Sequence, residues 1–266
     1  MSYLKSLIEP LFNSKFGVRL RNKIGFKAVN FAMPRAVSNL SASDLFIWRV
    51  DTDFKTIFRF SDIPSAYFQI YNSDVLIVVY DNFGKELYRQ IISPENNVVE
   101  FEIDPLEVGM SSTHGTFSIF HLCDVGEMEN VKVTNRCYVG YQYKNAIPSF
   151  VHGNFLAQYI NLSLDHSGSV DKIKVHCDIA QSWNKQTNYI IQKSFQQFDY
   201  SELAFVNPTE ECLEIEIDNV RLEVQPKGVR FFRLEGVDVV KISSRFSMPR
   251  PVVFSYKDGF IDCHHA

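Results

Sequence analysis

From residue 45 onward, short runs rich in apolar, β-branched and aromatic residues alternate with polar turn segments, a pattern that predicts β-strands. Turn-forming residues such as Asn, Asp, Gly and Pro separate the runs. No long helical period lies between them, so β-α-β units with a parallel sheet are not expected. The first runs predict strands over Leu45–Val50, Thr56–Phe60, Ala66–Tyr71, Val75–Tyr80, Glu86–Ile92 and Val98–Ile103.

The second half of this pattern repeats the first half, with four blocks in the same order. The matched blocks are Leu76–Asp81 with Leu213–Asp218, Val98–Ile103 with Val229–Leu234, Gly115–Leu122 with Val237–Phe246, and Val139–His152 with Val252–His264. The repeat predicts an all-β fold, a tandem of two antiparallel β-sandwich units that are Ig-like or jelly-roll-like. A short basic helical segment is expected to precede them.

The pattern divides the chain into three predicted segments. Residues 1–44 form the basic N-terminal segment and a linker, residues 45–154 the first unit, and residues 155–266 the second unit. Within the second unit, the dipeptide Asp258-Gly259 predicts a tight hairpin turn, since both residues tolerate a positive φ angle. The strand after this turn would leave an exposed edge, so we expect it to pack against another part of the chain, such as the first unit.

Charge is distributed unevenly along the chain. Residues 1–36 contain seven basic residues and one acidic residue, which gives a net charge of +6. Since the whole chain has a net charge of −4, the remaining residues have a net charge of −10. One interpretation is a segment that meets an anionic membrane surface. The other is a short helix docked on its own β fold, with its basic side chains in water. In the membrane interpretation the contact residues are Lys5, Lys15, Arg19, Arg21, Lys23 and Lys27.

The remaining composition restricts the class of protein. The net charge gives no reason to expect nucleic-acid binding. Five cysteines, an odd number without a C-x-x-C pair, are typical of free thiols in a reducing compartment. No apolar run approaches the roughly 18 residues of a membrane-spanning helix, and Lys5 and Glu9 interrupt the N-terminal apolar stretch. We therefore expect a cytoplasmic protein, with peripheral association at the inner membrane face as the open alternative.

Histidines near the ends of the two repeats form a candidate metal site. His152 and His264 occupy equivalent repeat positions, and Asp262 shares a strand face with His264 because side chains alternate along a strand. Imidazole and carboxylate groups can ligate a divalent metal or act as a base and its orienting partner. The alternative is that these histidines cap core strands and bond to the backbone.

Aromatic residues form a second candidate site. Aromatic rings stack on the apolar faces of sugars, so a cluster on one sheet face would suit a glycan. The candidate ligand-binding residues are Tyr138, Tyr141, Trp183 and Tyr256. Aromatic residues in a sandwich also serve as core and cross-strand pairs, which is the competing interpretation.

Two parts of the sequence resemble uncharacterised proteins encoded in bacterial surface-polysaccharide loci. The stretch from Val37-Ser38 to Ser43-Asp44-Leu45-Phe46-Ile47-Trp48-Arg49, which follows a basic N-terminus, resembles that group. Ser149–Asn154, Arg250–Phe254 and Asp262–His265 are similar to it as well. The resemblance implies a context, the assembly of O-antigen or capsule at the inner membrane face, and implies no reaction or catalytic residue.

These observations lead to two main hypotheses of different classes, and a purely structural or oligomerisation module is a third. In the first, the protein is a non-catalytic accessory or binding protein for surface glycan assembly, without a cofactor, and recognises a glycan or a glycosyltransferase-type partner. In the second, it is a metal-dependent enzyme that acts on a sugar or sugar conjugate through His152, Asp262 and His264. An enzyme requires its histidines in one cleft, whereas a binding module requires an exposed aromatic or apolar surface.

Overall fold

This computed structural model of the protein describes residues 15–24, 41–51, 53–71, 73–94, 98–104, 113–122, 133–135, 137–153, 158–164, 170–177, 181–182, 186–192, 195–237, 239–246 and 250–266. Strands dominate these residues, and the predicted all-β class is confirmed. The two α-helices of the described part are short: α1 (Lys15–Lys23) and α2 (Ile63–Phe68).

In chain order the strands are β1 (Ser41–Ser43), β2 (Phe46–Arg49), β3 (Phe54–Ser61), β4 (Asp74–Asp81), β5 (Glu86–Ile92), β6 (Val98–Glu102), β7 (His114–Leu122), β8 (Val133–Asn135), β9 (Tyr138–Tyr143), β10 (Ser149–His152), β11 (Gln158–Leu164), β12 (Val170–Cys177), β13 (Thr187–Gln192), β14 (Tyr200–Val206), β15 (Leu213–Ile217), β16 (Val220–Val224), β17 (Val229–Leu234), β18 (Val239–Ser244), β19 (Val252–Lys257) and β20 (Phe260–His265).

Within the described part, the strands form five four-stranded sheets. Sheet I has the order β12-β11-β1-β8, and its β1–β8 pair is parallel. Sheets II and III hold the strands between residues 46 and 152 except β8, in the orders β2-β7-β4-β5 and β10-β9-β3-β6. Sheets IV and V hold the strands from residue 187 onward, in the orders β13-β18-β15-β16 and β17-β14-β19-β20.

The sequence repeat is also a repeat of topology. When β2–β7, β9 and β10 are matched in chain order with β13–β20, sheet II has the strand order of sheet IV and sheet III that of sheet V. Each repeated sequence block lies on equivalent strands. The pairs are β4 with β15, β6 with β17, β7 with β18, and the β9–β10 hairpin with the β19–β20 hairpin.

Two hydrophobic cores follow from this arrangement. The larger core contains Phe58 and Phe117, whose rings from sheets III and II stack with centroids 4.5 Å apart. The smaller core lies between sheets IV and V and contains Phe205 and Ile242. The larger core also contains residues of sheet V, including Phe254, so the second sheet pair covers part of the first.

The predicted Asp258-Gly259 hairpin is confirmed. Both residues have positive φ angles, 51° and 81°, and Lys257 pairs with Phe260 across the turn. The expectation that the following strand is covered is confirmed too. The Ser149 hydroxyl accepts a hydrogen bond from the Cys263 backbone N–H (3.1 Å) and donates one to the Cys263 carbonyl (3.4 Å), which joins β10 to β20.

The predicted strand over Ala66–Tyr71 is wrong. Helix α2 occupies the first half of this segment, with Pro64 in its first turn and Gln69 in a left-handed conformation at its end. Proline suits the first turn of a helix, because it has no N–H to leave unpaired there. Tyr67, Phe68 and Tyr71 lie exposed on the surface, so the apolar run that imitated a strand belongs to a surface helix and the residues after it.

Residues near the predicted boundaries pack closely. Ser41–Ser43, which the sequence analysis assigned to a linker, form buried strand β1. The hydroxyls of Ser41 and Ser43 accept hydrogen bonds from the backbone N–H groups of His121 (2.7 Å) and Ile119 (2.8 Å). Beyond the boundary predicted after residue 154, β11 pairs with β1 and thereby joins the first half of the chain. The domain boundaries themselves stay predictions.

Helix α1 belongs to the basic N-terminal segment. Among the described residues, no helix has both the length and the apolar character required to cross a membrane.

A turn of the first half fits tightly against a turn of the second half. Gly84 follows the β4 strand with a φ of 80°, a conformation that residues with a Cβ rarely adopt. A Cβ atom at this position would lie 1.8 Å from the carbonyl oxygen of Pro226. The carbonyl of nearby Asn82 accepts a hydrogen bond from the Val229 N–H at 3.1 Å. Glycine at position 84 therefore allows backbone to meet backbone between the halves.

Substitution of Gly84 should distinguish the effect of the close contact with Pro226 on stability from the effect of backbone strain. Gly259 has nearly the same φ angle, 81°, but no atom within 4 Å of its Cβ position, so it is a matched control. We expect Gly259→Ala to lower the free energy of unfolding by about 1 kcal/mol, and Gly84→Ala by about 3 kcal/mol, since it adds a steric clash to the same strain. Urea unfolding measures both values. If both variants lost the same free energy of unfolding, the fold would relieve the clash with the Pro226 carbonyl without a free-energy cost.

Candidate functional site

The predicted metal ligands do not converge. Asp262 and His264 lie on one face of β20, as strand periodicity predicted, and His264 Nδ1 lies 3.2 Å from Asp262 Oδ2. The imidazole of His152 contacts a different histidine, His265, with ring centroids 4.7 Å apart. His265 Nε2 also bonds to the His152 carbonyl oxygen. In the part of the chain that the structure describes, no three His, Cys, Asp or Glu side chains form a group able to hold a metal ion.

A small cavity lies beside this histidine pair, between the two halves. Its volume is about 20 Å³, and Val139, Val252 and the two histidines contribute to its lining. A water molecule requires a cavity of roughly 10–15 Å³ on this measure, so the space accommodates about one water. It is too small for a sugar.

The predicted ligand-binding aromatic residues separate into two groups. Tyr141 and Tyr256 are buried core residues, and the Tyr141 hydroxyl donates to the Ile47 carbonyl at 2.9 Å. Tyr138 is 59 % exposed. Trp183 lies outside the described residues. Tyr138 is therefore the member of the set that the structure presents to solvent.

The predicted membrane-contact residues include two that bind the second half of the chain. Arg19 forms an ion pair with Glu210 at 3.0 Å and donates to the Cys177 carbonyl at 3.3 Å. Lys23 forms an ion pair with Glu211. These contacts agree with the docked-helix interpretation. Lys5 and Lys27, and the side chains of Lys15 and Arg21, lie outside the described part.

The outer face of sheet III carries the exposed aromatic residues of this region. Strand β3 alternates between buried and more exposed residues, so one face of the sheet packs on the core and the other lies open. Phe150 lies directly opposite Gly140, and His152 lies opposite Tyr138. Tyr138 and Phe150 are thus diagonal neighbours on adjacent strands. A methyl group at Gly140 would come within 2.5 Å of Phe150 Cε1, so glycine at this position lets the ring lie against the strand.

Charged residues flank these two rings. Tyr138 lies opposite Arg59, which lies opposite Glu100, and the Arg59 and Glu100 side chains form an ion pair. The Arg59 guanidinium carbon also lies 5.4 Å from the centroid of the Phe150 ring. We name this surface the aromatic face, defined by Tyr138, Phe150, Ile57, Arg59 and Glu100. It combines apolar ring surface with hydrogen-bond donors and acceptors in one plane.

Sheet IV offers a second open surface of different character. A depression of about 570 Å³ lies over β13, β18 and β15. Ser243 lies opposite both Asn188 and Glu216, which gives the depression a row of polar side chains. Its aromatic residue, Tyr189, packs against the second core. The depression therefore supplies polar groups without an exposed ring.

No protein-family model and no curated protein matches the chain. Among solved structures, the major pilin of Streptococcus pyogenes shares 11 % identity, with 82 % of this chain and 83 % of that chain covered and a TM-score of 0.19. The T-13 major pilin of the same organism shares 14 % identity, with 86 % and 92 % covered and a TM-score of 0.22. Similarity at this level does not establish a shared fold.

A buried cation joins the two halves. Arg49, at the end of β2, donates to Asp51 Oδ2 through Nε (3.1 Å) and Nη2 (2.7 Å), and to Glu202 Oε2 through Nη1 (2.7 Å). Nη1 also donates to the Tyr256 hydroxyl at 2.9 Å, and that hydroxyl donates to Glu202 at 2.6 Å. The guanidinium lies 3.8 Å from the centroid of the Phe54 ring.

The electrostatics of this junction favour the charged form of Arg49. Burial opposes the charge, but the carboxylates of Glu202 and Asp51 outweigh it, so the pKa of Arg49 is raised. Burial raises the pKa of the Tyr256 hydroxyl, which stays protonated and able to donate to Glu202. The junction is thus a packed, hydrogen-bonded contact between the halves, without an opening for a ligand.

This junction is not among the sites predicted from the sequence. Arg49 lies within the apolar run Phe46–Val50, and a lone basic residue in a buried strand requires an acidic partner. That signal was present, but Glu202 lies 153 residues away and nothing in the sequence connects the two.

A second histidine–carboxylate pair is sealed inside the first half. His121 Nδ1 lies 3.6 Å from Asp62 Oδ1, and both side chains are buried. Neither ring nitrogen of His121 has a hydrogen-bond partner among the described residues. Burial lowers the pKa of His121 to about 4, and burial raises the pKa of Asp62. Because the His121 imidazole is not accessible to solvent, the pair affects the stability of the fold and does not contact a substrate.

Removal of the junction cation should be costly unless its partner is removed too. We expect Arg49→Met to lower the free energy of unfolding by about 3 kcal/mol, because Glu202 then loses its cation in a largely buried site. Arg49→Met combined with Glu202→Leu should lose less than the single variant, and urea unfolding measures both. The account of the junction would be contradicted if the double variant lost as much free energy of unfolding as Arg49→Met and Glu202→Leu lose together when each is made alone.

Acidification should destabilise the protein through His121. Its pKa is about 6.5 in the unfolded chain and about 4 in the fold, so the unfolded chain binds the proton first as the pH falls. Between these values the fold loses up to about 3 kcal/mol, and the raised pKa of Asp62 offsets part of this loss. In urea unfolding from pH 7 to pH 4.5, His121→Leu should show a shallower pH dependence than wild type. His264→Gln, on the last strand, is the control, and a slope unchanged by His121→Leu would contradict the assignment.

Proposed function

We propose that the protein is a tandem of two antiparallel β-sandwich units, and that it acts as a non-catalytic binding protein that recognises a glycan on the aromatic face. The matched strand orders of sheets II and III and of sheets IV and V support the tandem architecture. Strand β3 buries one face in the core and exposes the other to solvent, which supports a sandwich in the first unit.

The observation that carries the binding proposal is the arrangement of Tyr138 and Phe150. Two partly exposed rings, 59 % and 38 % accessible, lie as neighbours on an open sheet face. The apolar face of a pyranose fits flat against such rings. Arg59 and Glu100 beside them supply the donor and acceptor groups that sugar hydroxyls require.

The resemblance to proteins of surface-polysaccharide loci supports a glycan as the ligand class, and an accessory role in surface glycan assembly belongs to the same proposal. A glycosyltransferase-type partner would use the same exposed face. The metal-dependent alternative has less support, since His152 packs on His265 and no three candidate ligands form a group among the described residues. Its metal site at His152, Asp262 and His264 stays a prediction.

The proposal is tested with immobilised bacterial polysaccharides, followed by calorimetric titration of the oligosaccharides that bind. Tyr138→Ala and Phe150→Ala should each weaken binding at least about fivefold, because each removes a stacking ring that contributes about 1 kcal/mol or more. Tyr67→Ala and Tyr71→Ala, which remove rings that are more exposed and lie elsewhere, are matched controls and should bind as wild type does.

Two results would contradict the proposal. Saccharide binding that survives loss of both rings, yet is lost in Asn188→Ala, would assign the ligand to the sheet IV depression. Absence of binding to any polysaccharide, with the fold intact, would remove the glycan as the ligand class.

A further inference from the structure

Helix α1 presents a line of large apolar side chains to solvent. Phe16, Leu20 and Ile24 follow one another at intervals of four residues, from the helix into the residue after it, and so share one face. They are 73 %, 40 % and 42 % exposed. Exposure of a phenylalanine to this extent leaves most of its ring in water. We name these three residues the apolar stripe.

The contacts of α1 with the second half keep the stripe in this orientation. Arg19 is bound to Glu210, Lys23 to Glu211, and the Lys23 carbonyl accepts a hydrogen bond from the Ser182 hydroxyl at 3.3 Å. Gly17 is buried. Polar contacts therefore tie the helix to the second half, while Phe16 lies mostly in water and Leu20 and Ile24 are partly exposed.

The charge around the stripe identifies what would cover it. Glu210 and Glu211 pair with Arg19 and Lys23, but the sequence within residues 1–36 supplies five further basic residues against one acidic residue. Apolar side chains at the centre of a positively charged segment are complementary to a bilayer whose headgroups are anionic. A second copy of the chain would instead bring two such positive segments together.

We propose that the apolar stripe of α1 inserts into the interface of an anionic membrane, while Arg19 and Lys23 hold the β fold to the helix. The chain then lies on the membrane surface, with the helix axis along the plane of the bilayer. The ring of Phe16 and the methyl groups of Leu20 and Ile24 enter the acyl boundary, and the other basic residues of the segment contact lipid phosphates. This inference is independent of the glycan site.

The test is co-sedimentation of the full chain with vesicles of phosphatidylglycerol and phosphatidylcholine, and with vesicles of phosphatidylcholine alone. Wild type should pellet with the anionic vesicles and bind them less as salt is raised. The triple variant Phe16→Ser, Leu20→Ser, Ile24→Ser keeps both ion pairs and should lower partitioning at least about tenfold. A matched control, Ile91→Ser with Val220→Ser, removes exposed apolar residues elsewhere and should pellet as wild type does.

A second variant separates charge from apolar insertion. Lys15→Gln with Arg21→Gln retains the stripe and both ion pairs, and should weaken binding to anionic vesicles. The proposal is overturned if wild type fails to pellet with anionic vesicles, or if the triple variant pellets equally well. It is also overturned if light scattering shows that the triple variant converts a dimer into a monomer without a change in vesicle binding.

Discussion

The contact between sheet V and the first half of the chain is the constraint on which the rest of the structure depends. Phe254 of β19 packs into the larger core, with its ring centroid 4.8 Å from that of Tyr141, whereas the adjacent Val253 packs into the smaller core. Strand β19 is consequently buried on both faces. An antiparallel strand with one face in water would alternate. Val252–Tyr256 is instead apolar except for Ser255, which is buried and bonds to the Ser201 hydroxyl, so the run reflects a layer covered from both sides.

Arg49 is the polar counterpart of this apolar contact. Its guanidinium is satisfied by one acidic residue from its own loop, Asp51, and by Glu202 and Tyr256 from the other half. A buried cation requires such partners, and planar donors accept only a narrow range of geometries. The contacts of Arg49 and the close backbone contact at Gly84 together restrict how the two halves are placed relative to each other.

The same contact decides which surfaces remain for binding. Burial of one face of β19 and β14 against the first half places Tyr256 in the core, where it serves the junction. The outer face of sheet III faces no other sheet in the described structure, and its rings remain accessible. Helix α1 is held through ion pairs, which leaves its apolar residues outward. The two candidate interaction surfaces, the aromatic face and the apolar stripe, thus contain apolar side chains that are not buried in either core.

The sequence by itself determined the strand-rich class, the internal repeat and local turns such as Asp258-Gly259, because alternation and turn chemistry are properties of neighbouring residues. It placed Asp262 beside His264, since period-two geometry is local as well. It failed for Ala66–Tyr71, where a helix that begins at Ile63 ends. Only the tertiary structure decided that Tyr141 and Tyr256 are buried, that His152 meets His265, and that Arg49 pairs with Glu202. These outcomes depend on which sheet faces are covered, and that is set by contacts between residues about a hundred or more positions apart.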